Sequence, residues 1–277
     1  MSILQAIVLG IVQGLTEFLP ISSSGHLLLI PELFHWTELT DDPELEKTFS
    51  VALHIGTFIG AAWYFRHDLV RYARAAVRSL RRREIETVDE RMAWLLALSA
   101  VPAAIVGALF SDFIDESLGE PVLIGVMLIV FGLVLFACDR LPSDRTESRF
   151  SVRDALMMGG AQAVALQPGV SRAGVTISMG RFLHFDRDSA TRLSFLMSLP
   201  IIFGAGLFEG VQVAADGGIP SDLVAPFLWG LVSAAVSGFL AVAWLLRLLR
   251  THSFTPFVIY RVIVGLAVII TFASGLR

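Results

Sequence analysis

Residues 3–34 read ILQAIVLGIVQGLTEFLPISSSGHLLLIPELF, and the fold turns on this stretch. Two apolar arms, Ile3–Leu19 and Leu27–Phe34, flank a polar break, Pro20-Ile21-Ser22-Ser23-Ser24-Gly25-His26, whose proline, serines and glycine interrupt a helix. Residues 155–185 have the same build. There Ala155–Leu166 runs into Gln167-Pro168-Gly169-Val170-Ser171-Arg172 and returns as Val175–Leu183. Arg153 and Glu209 fall on opposite sides by loop charge, yet three apolar runs lie between them. A re-entrant hairpin over 155–185 resolves this parity and leaves Leu193–Phe208 as the true span. The N-terminal stretch reads as a matching hairpin over 3–34.

The surrounding chain is membrane-like. It has 277 residues, 55% hydrophobic and 17% charged, with a mean hydropathy of +0.71, too apolar for an ordinary soluble domain. Runs about long enough to cross a bilayer include Met92–Phe110, Pro121–Ala137, Leu223–Leu246 and Phe257–Ser274. Met1–Leu19 contains no basic residue and leads straight into the polar break, so a retained N-terminus is expected rather than a cleaved signal peptide. The lone Cys138 excludes an internal disulfide and a metal–thiolate set. The basic residues lie beside apolar spans without interleaved exposed aromatics, which excludes nucleic acid as a partner.

Loop charge sets the orientation. Arg66–Arg91 holds eight arginines and belongs in the cytoplasm; Asp139–Arg153, with four more, returns there. Glu38–Lys47, Ser111–Glu120 and Glu209–Asp222 are acidic or lack basic residues, and read as external.

The two hairpins also resemble each other. Ala6, Gly10 and Gln13 recur as Ala155, Gly159 and Gln162, and a one-residue slip then aligns Pro20 and Ser23 with Pro168 and Ser171. Further on, the run from Phe49 resembles that from Phe195. A hairpin plus three spans makes an odd number of crossings, so the second copy enters from the opposite side. The expected fold is an all-α integral membrane protein with about six transmembrane helices, built as an inverted-topology repeat: residues 1–137 with the hairpin 3–34, and residues 154–277 with the hairpin 155–185. Such folds bring two polar, broken segments together near the bilayer midplane.

The first break offers Gln13, Glu17, Ser22, Ser23, Ser24 and His26. Gln13 and Glu17 are four apart, share a helix face, and could present oxygens to a hard cation. A carboxylate in hydrocarbon needs a partner, which a metal or Arg172 would supply. The triple serine and Gly25 form a turn whose hydroxyls and N–H groups suit anionic oxygens, with close helix packing as the rival reading for Ser22 and Ser24. His26 is suited to proton transfer. The second break offers Gly169, Ser171, Arg172 and Thr176, with a guanidinium fork matched to phosphate. His54, alone in an apolar span, reads as a helix-packing histidine, and Arg181, Arg192, Arg247 and Arg261 read as interfacial anchors. Together the tips suit phosphoryl transfer on a lipid whose tail stays in the bilayer: a cation and Arg172 neutralise diphosphate oxygens, Ser23 or a water attacks, and His26 manages the proton. A transporter or flippase for a lipid phosphate is the main rival, because inverted repeats are a transporter architecture.

The pair QGLTEFLPISSSGH (13–26) and PGVSRAGVT (168–176), in this order and spacing, resembles the bacterial undecaprenyl-diphosphate phosphatase family of the bacitracin-resistance type. The likeness spans essentially the whole chain. It implies a multi-pass enzyme of the bacterial cell (inner) membrane that recycles the undecaprenyl carrier lipid for peptidoglycan, with a divalent cation, magnesium or calcium. Its acidic motif falls on Gln13 and Glu17, its serine and histidine positions on Ser22, Ser23 and His26, and its P-G-x-S-R motif on Ser171 and Arg172. Gln13 stands where many members have Glu, and Ala173 where many have Ser. The family also implies a site open to the external side. The expected partners are a polyprenyl diphosphate, the bilayer and, by self-association, a homodimer.

Overall fold

The computed structural model describes residues 1–36, 41–215 and 218–273, so the expected external segment over 38–40 lies outside the described residues. The hairpin arms start where side chains can cap them. In α1 (Ile3–Phe18) the Ser2 hydroxyl accepts the Gln5 N–H at 3.2 Å while Gln5 Oε1 accepts the Ser2 N–H at 2.6 Å. In α7 (Val152–Val164), Ser151 and Asp154 form the same reciprocal box. The return arms are α2 (Ser23–Phe34) and α8 (Arg172–Phe182), each preceded by a serine in left-handed backbone: φ is 74° at Ser22 and 70° at Ser171. Ala6/Ala155, Gly10/Gly159, Gln13/Gln162, Ser22/Ser171 and Gly25/Gly174 therefore keep one constant offset, and the expected slip is absent. Ser22, not Ser23, is the counterpart of Ser171.

Five helices among the described residues are long and apolar enough to cross a membrane: α5 over Val88–Phe110, α6 (Pro121–Asp139), α9 over Arg187–Val213, α10 (Val224–Leu248) and α11 (Thr255–Ala273). The bent pair α3 (Pro43–Tyr64) and α4 (Arg66–Arg82), joined at 84°, is the sixth candidate when it is counted as one broken span. Two connections are more helical than expected. The arginine-rich stretch after residue 65 is the amphipathic helix α4, and α5 continues past a kink at Phe110 (φ −127°) to Ser117.

Helix pairing repeats between the halves. α1 packs on α10 as α7 packs on α5, α3 on α10 as α9 on α5, and α1 on α2 as α7 on α8. The equivalent helices α3 and α9 run antiparallel, with Phe58 against Phe203 (ring centroids 5.5 Å apart) and Ile55 beside Gly206. The pair α6 and α11 does likewise, with Gly125 against Gly265 and Gly132 against Arg261. Antiparallel packing of equivalent helices is what an inverted topology requires. Small residues permit the closest approaches: a Cβ at Gly14 of α1 would lie 2.6 Å from the Ala234 carbonyl of α10.

The arginine-rich ends are knitted together on one side. Arg187 meets Asp139 at 2.7 Å, Arg192 bridges Glu147 and Asp68 at 3.1 Å each, and Arg145 holds Asp154. Arg181, expected as an interfacial anchor, is instead 3% exposed and donates to the carbonyls of Asp139, Leu141 and Phe185. Its guanidinium satisfies loop backbone that has no helix of its own. Arg192 is likewise an ion-pair member, whereas Arg247 is exposed as an anchor should be.

Candidate active site at the hairpin tips

The chain breaks at Pro20 and Gly169 bring the end of α1 against the start of α8. There Glu17 Oε1 pairs with Arg172. Glu17 Oε2 accepts the Ser23 hydroxyl at 2.6 Å and the Gln13 amide at 3.0 Å. The carboxylate is 6% exposed, so the expectation that it needs partners in the membrane is met by three donors from both hairpins. His54 of α3 completes the cluster, its Nε2 lying 3.7 Å from Glu17 Oε2. It gives its Nδ1–H to the Ser50 carbonyl at 2.8 Å, so Nε2 attracts the carboxylate only when protonated. The helix-packing reading of His54 captures the Ser50 bond and misses Glu17, which lies on another helix.

Arg261 of α11 holds the tips in place. It is 0% exposed, not an interfacial anchor. Nη1 donates to the Pro20 carbonyl of the first tip (3.2 Å), Nη2 to the Gly169 and Val170 carbonyls of the second (2.9 and 3.0 Å), and Nε to Leu128 of α6 (2.9 Å). Both breaks expose carbonyls that no helix ladder serves, and one guanidinium answers them. Gly169 turns at φ 90°, and a Cβ there would lie 2.6 Å from the Ile124 carbonyl, so only glycine fits without displacement.

A cavity of about 710 Å³ opens onto this cluster. Glu17, Ser22, Ser23, Ser24, His54, Gln162, Ser171 and Arg172 line its polar part; Leu27, Leu28, Leu53, Leu166, Ile201 and Ile202 line its apolar part. Glu46, Lys47 and Glu209 lie along it as well, at the helix ends opposite the arginine lattice.

The structure thus brings together Glu17, Ser22, Ser23, Ser24, Ser171 and Arg172 on the cavity wall, with Gln13 bonded to Glu17 from behind it, and leaves three other candidates outside this cluster. His26 gives its Nδ1–H to the Ser22 carbonyl (2.6 Å) and accepts from the Tyr260 hydroxyl at Nε2 (2.7 Å), so both ring nitrogens are committed to the serine turn and α11. Thr176 is fully buried, its hydroxyl bonded to the Arg172 carbonyl and the Ser194 hydroxyl. Gly169 serves through its turn and its carbonyl. Ser171 Oγ accepts the Gly174 N–H at 3.1 Å and so caps α8, the helix whose first residue is Arg172.

Among the described residues no group of three or more His, Cys, Asp or Glu side chains forms a metal cage. The oxygen donors beside Glu17 are Ser23 Oγ and Gln13 Oε1, the latter buried without a hydrogen-bond partner.

Comparison with known proteins shows the family. The family model described as bacitracin resistance protein BacA matches residues 6–267, both hairpin tips included. Proteins named undecaprenyl-diphosphatase from a Nocardioides species and from Pelobacter propionicus are each 45% identical, covering 98% and 100% of this chain and 97% and 99% of their own lengths. One of the same name from Geobacter sulfurreducens is 45% identical over 97% of this chain and 98% of its own. A multi-pass membrane chain with a carboxylate–serine–arginine cluster at paired hairpin tips, matched almost end to end, belongs to the bacitracin resistance protein BacA family.

Proposed function

We propose that the protein is an undecaprenyl-diphosphate phosphatase, which hydrolyses the lipid diphosphate to undecaprenyl phosphate and inorganic phosphate, returns the carrier to cell-wall synthesis and so confers bacitracin resistance. The relatives' names support this, and one observation carries it. The Ser23 hydroxyl donates to a carboxylate whose other oxygen meets Arg172, at the polar end of a largely apolar cavity. A carrier needs the arginine and the glycine turn but no hydroxyl held against a base, so the flippase reading is disfavoured.

In this mechanism Arg172 uses one N–H on Glu17 and offers its remaining donors to the phosphate oxygens. Ser22, Ser24 and the N-terminal N–H groups of α2 and α8 add donors around the diphosphate, within turns shaped by Gly169 and braced by Ser171 and Thr176. Ser23 Oγ attacks the terminal phosphorus and passes its proton to Glu17. The bond to the bridging oxygen breaks, and undecaprenyl phosphate departs with that oxygen and its electron pair. Water then cleaves the phosphoserine, releasing phosphate and restoring the hydroxyl. His26 fixes the serine turn through Ser22 and Tyr260, while His54 is the imidazole facing the carboxylate.

A divalent cation, magnesium or calcium, fits an oxygen set of Glu17, Gln13 Oε1 and Ser23 Oγ, with phosphate oxygens and water filling the coordination as such ions favour. When bound it would neutralise diphosphate charge. The position of Glu46, Lys47 and Glu209 along the cavity supports access from the external side. We further propose that the protein resides in the inner membrane of a bacterium, is divided into repeat halves at 1–137 and 154–277, and forms a homodimer. Membrane fractionation, a split-chain complementation and the mass of the solubilised protein test these points.

The direct test is phosphate release from a C55 or shorter polyprenyl diphosphate by the purified protein, with and without chelator, beside Glu17→Ala, Ser23→Ala and Arg172→Ala. Release by the wild type, loss in the variants and a trapped phosphoserine are expected. No release under any metal condition overturns the enzyme reading, and full release by Ser23→Ala makes water the nucleophile.

A further inference from the structure

Gln162 of α7 is the polar group that the mechanism leaves unexplained. It is 2% exposed, and neither Oε1 nor Nε2 has a hydrogen-bond partner among the described residues. A buried amide in that condition carries the desolvation penalty of donor and acceptor together. Methionine or leucine at this position would remove the penalty at similar volume and be at least as good a helix former. For folding alone, then, glutamine is a poor choice.

Two independent observations say what the amide is for. Gln162 lines the cavity that also takes Glu17, Ser23, Ser171 and Arg172. It is also the repeat counterpart of Gln13, at the same offset that relates Ser22 to Ser171, and Gln13 already donates its amide N–H to the anionic group of the first hairpin. The first half directs its amide to a carboxylate from its own helix. The second half carries Leu166 at the position matching Glu17, so its own hairpin supplies no anion for the Gln162 amide. What the cavity admits must supply it.

We infer that Gln162 is a substrate-binding residue: its Nε2–H donates to a non-bridging oxygen of the diphosphate held by Arg172, and its Oε1 accepts from a water hydrating the same phosphate. This rests on the reading of the cavity as the diphosphate site. The amide is neutral, so it adds a directional donor without a second fixed positive charge that would slow phosphate departure.

The test measures kcat and KM for polyprenyl diphosphate hydrolysis, inhibition by inorganic phosphate, and Tm, for purified Gln162→Met, Gln162→Glu and Arg172→Ala. For Gln162→Met we expect a higher Tm with kcat/KM lowered at least tenfold, about 1.4 kcal/mol, carried by KM and matched by weaker phosphate inhibition. Gln162→Glu, with a carboxylate facing the phosphate, should lose more. A Gln162→Met variant with unchanged kcat/KM and phosphate inhibition overturns the proposal, as does a Gln162→Glu variant as active as the wild type, which also decides the matter if the methionine variant does not fold. If Arg172→Ala retains full activity, the cavity reading itself fails, and this inference with it.

Discussion

Removing Arg261 should both destabilise the fold and silence the site, because one buried guanidinium joins both tips to α6. Its donors reach five carbonyls: Met127 and Leu128 within α6, and Pro20, Gly169 and Val170 in turn backbone. The α6 carbonyls keep their helix partners in its absence. The three turn carbonyls lie outside any helix ladder, and leaving each unpaired and buried costs about 1–3 kcal/mol. Relaxation, water entry and the relief of no longer burying a charge offset part of that sum, so Arg261→Met should cost about 3–5 kcal/mol, toward the lower end of the range for the three unpaired carbonyls together. Arg261→Lys keeps the charge but cannot span Leu128, Pro20 and Gly169 from one point, and should recover only a fraction. Thermal unfolding in detergent, followed by tryptophan fluorescence, gives the stability; phosphate release at a temperature where the variant remains folded gives the activity. We expect a large drop in Tm and, in the folded fraction, a fall in kcat greater than any rise in KM, since Glu17 and Arg172 would lose their register. Arg261→Met with wild-type Tm and kcat would refute the clamp.

Four other outcomes rest on the same geometry. Arg172→Lys should lower kcat/KM by about 10²- to 10³-fold, the usual cost of one electrostatic donor at a reacting centre, because a point charge cannot serve Glu17 and phosphate as a fork does; steady-state kinetics will show it. Tyr260→Phe should cost about 0.5–1.5 kcal/mol of stability by freeing His26 Nε2, whereas His54→Ala should spare Tm and lower kcat, a contrast visible in paired unfolding and activity curves. Gly169→Ala should destabilise by about 1–3 kcal/mol, since φ 90° and the Ile124 carbonyl both oppose a Cβ, as calorimetry or fluorescence melting can check. Burial pushes the Asp154 carboxyl up, but hydrogen bonds from Arg145 and Ser151 outweigh it and hold the group below the ordinary carboxylate range. Its stabilisation is therefore present above the unfolded pKa of about 4 and lost as pH falls through the lower folded value, so Asp154→Asn should flatten the acid limb of a Tm-against-pH profile.

What the residues alone determined is the part of the protein governed by local rules. Apolar run length and loop arginines specify a membrane chain with about six crossings, because hydrocarbon thickness and the positive-inside bias act on sequence directly. Pro20, Pro168 and Gly169 mark the two breaks, and Glu17, Ser23 and Arg172 announce themselves as groups too polar for their surroundings. The same logic, applied evenly, marks Arg261, a charge within the apolar run Phe257–Ser274; reading it as an anchor overlooks that nothing in that run lets it reach the interface. Gln162 is visible as a repeat match whose meaning waits on a cavity. Tertiary structure alone decided which partners meet. His54 faces Glu17 across helices, His26 turns to Tyr260 instead of the cavity, and the repeat register follows Ser22 and Ser171 because equivalent backbone turns, not like-named residues, must superpose. Such contacts depend on the packing of helices far apart in the chain, where side-chain identity sets what a group can do and only the fold sets what it touches.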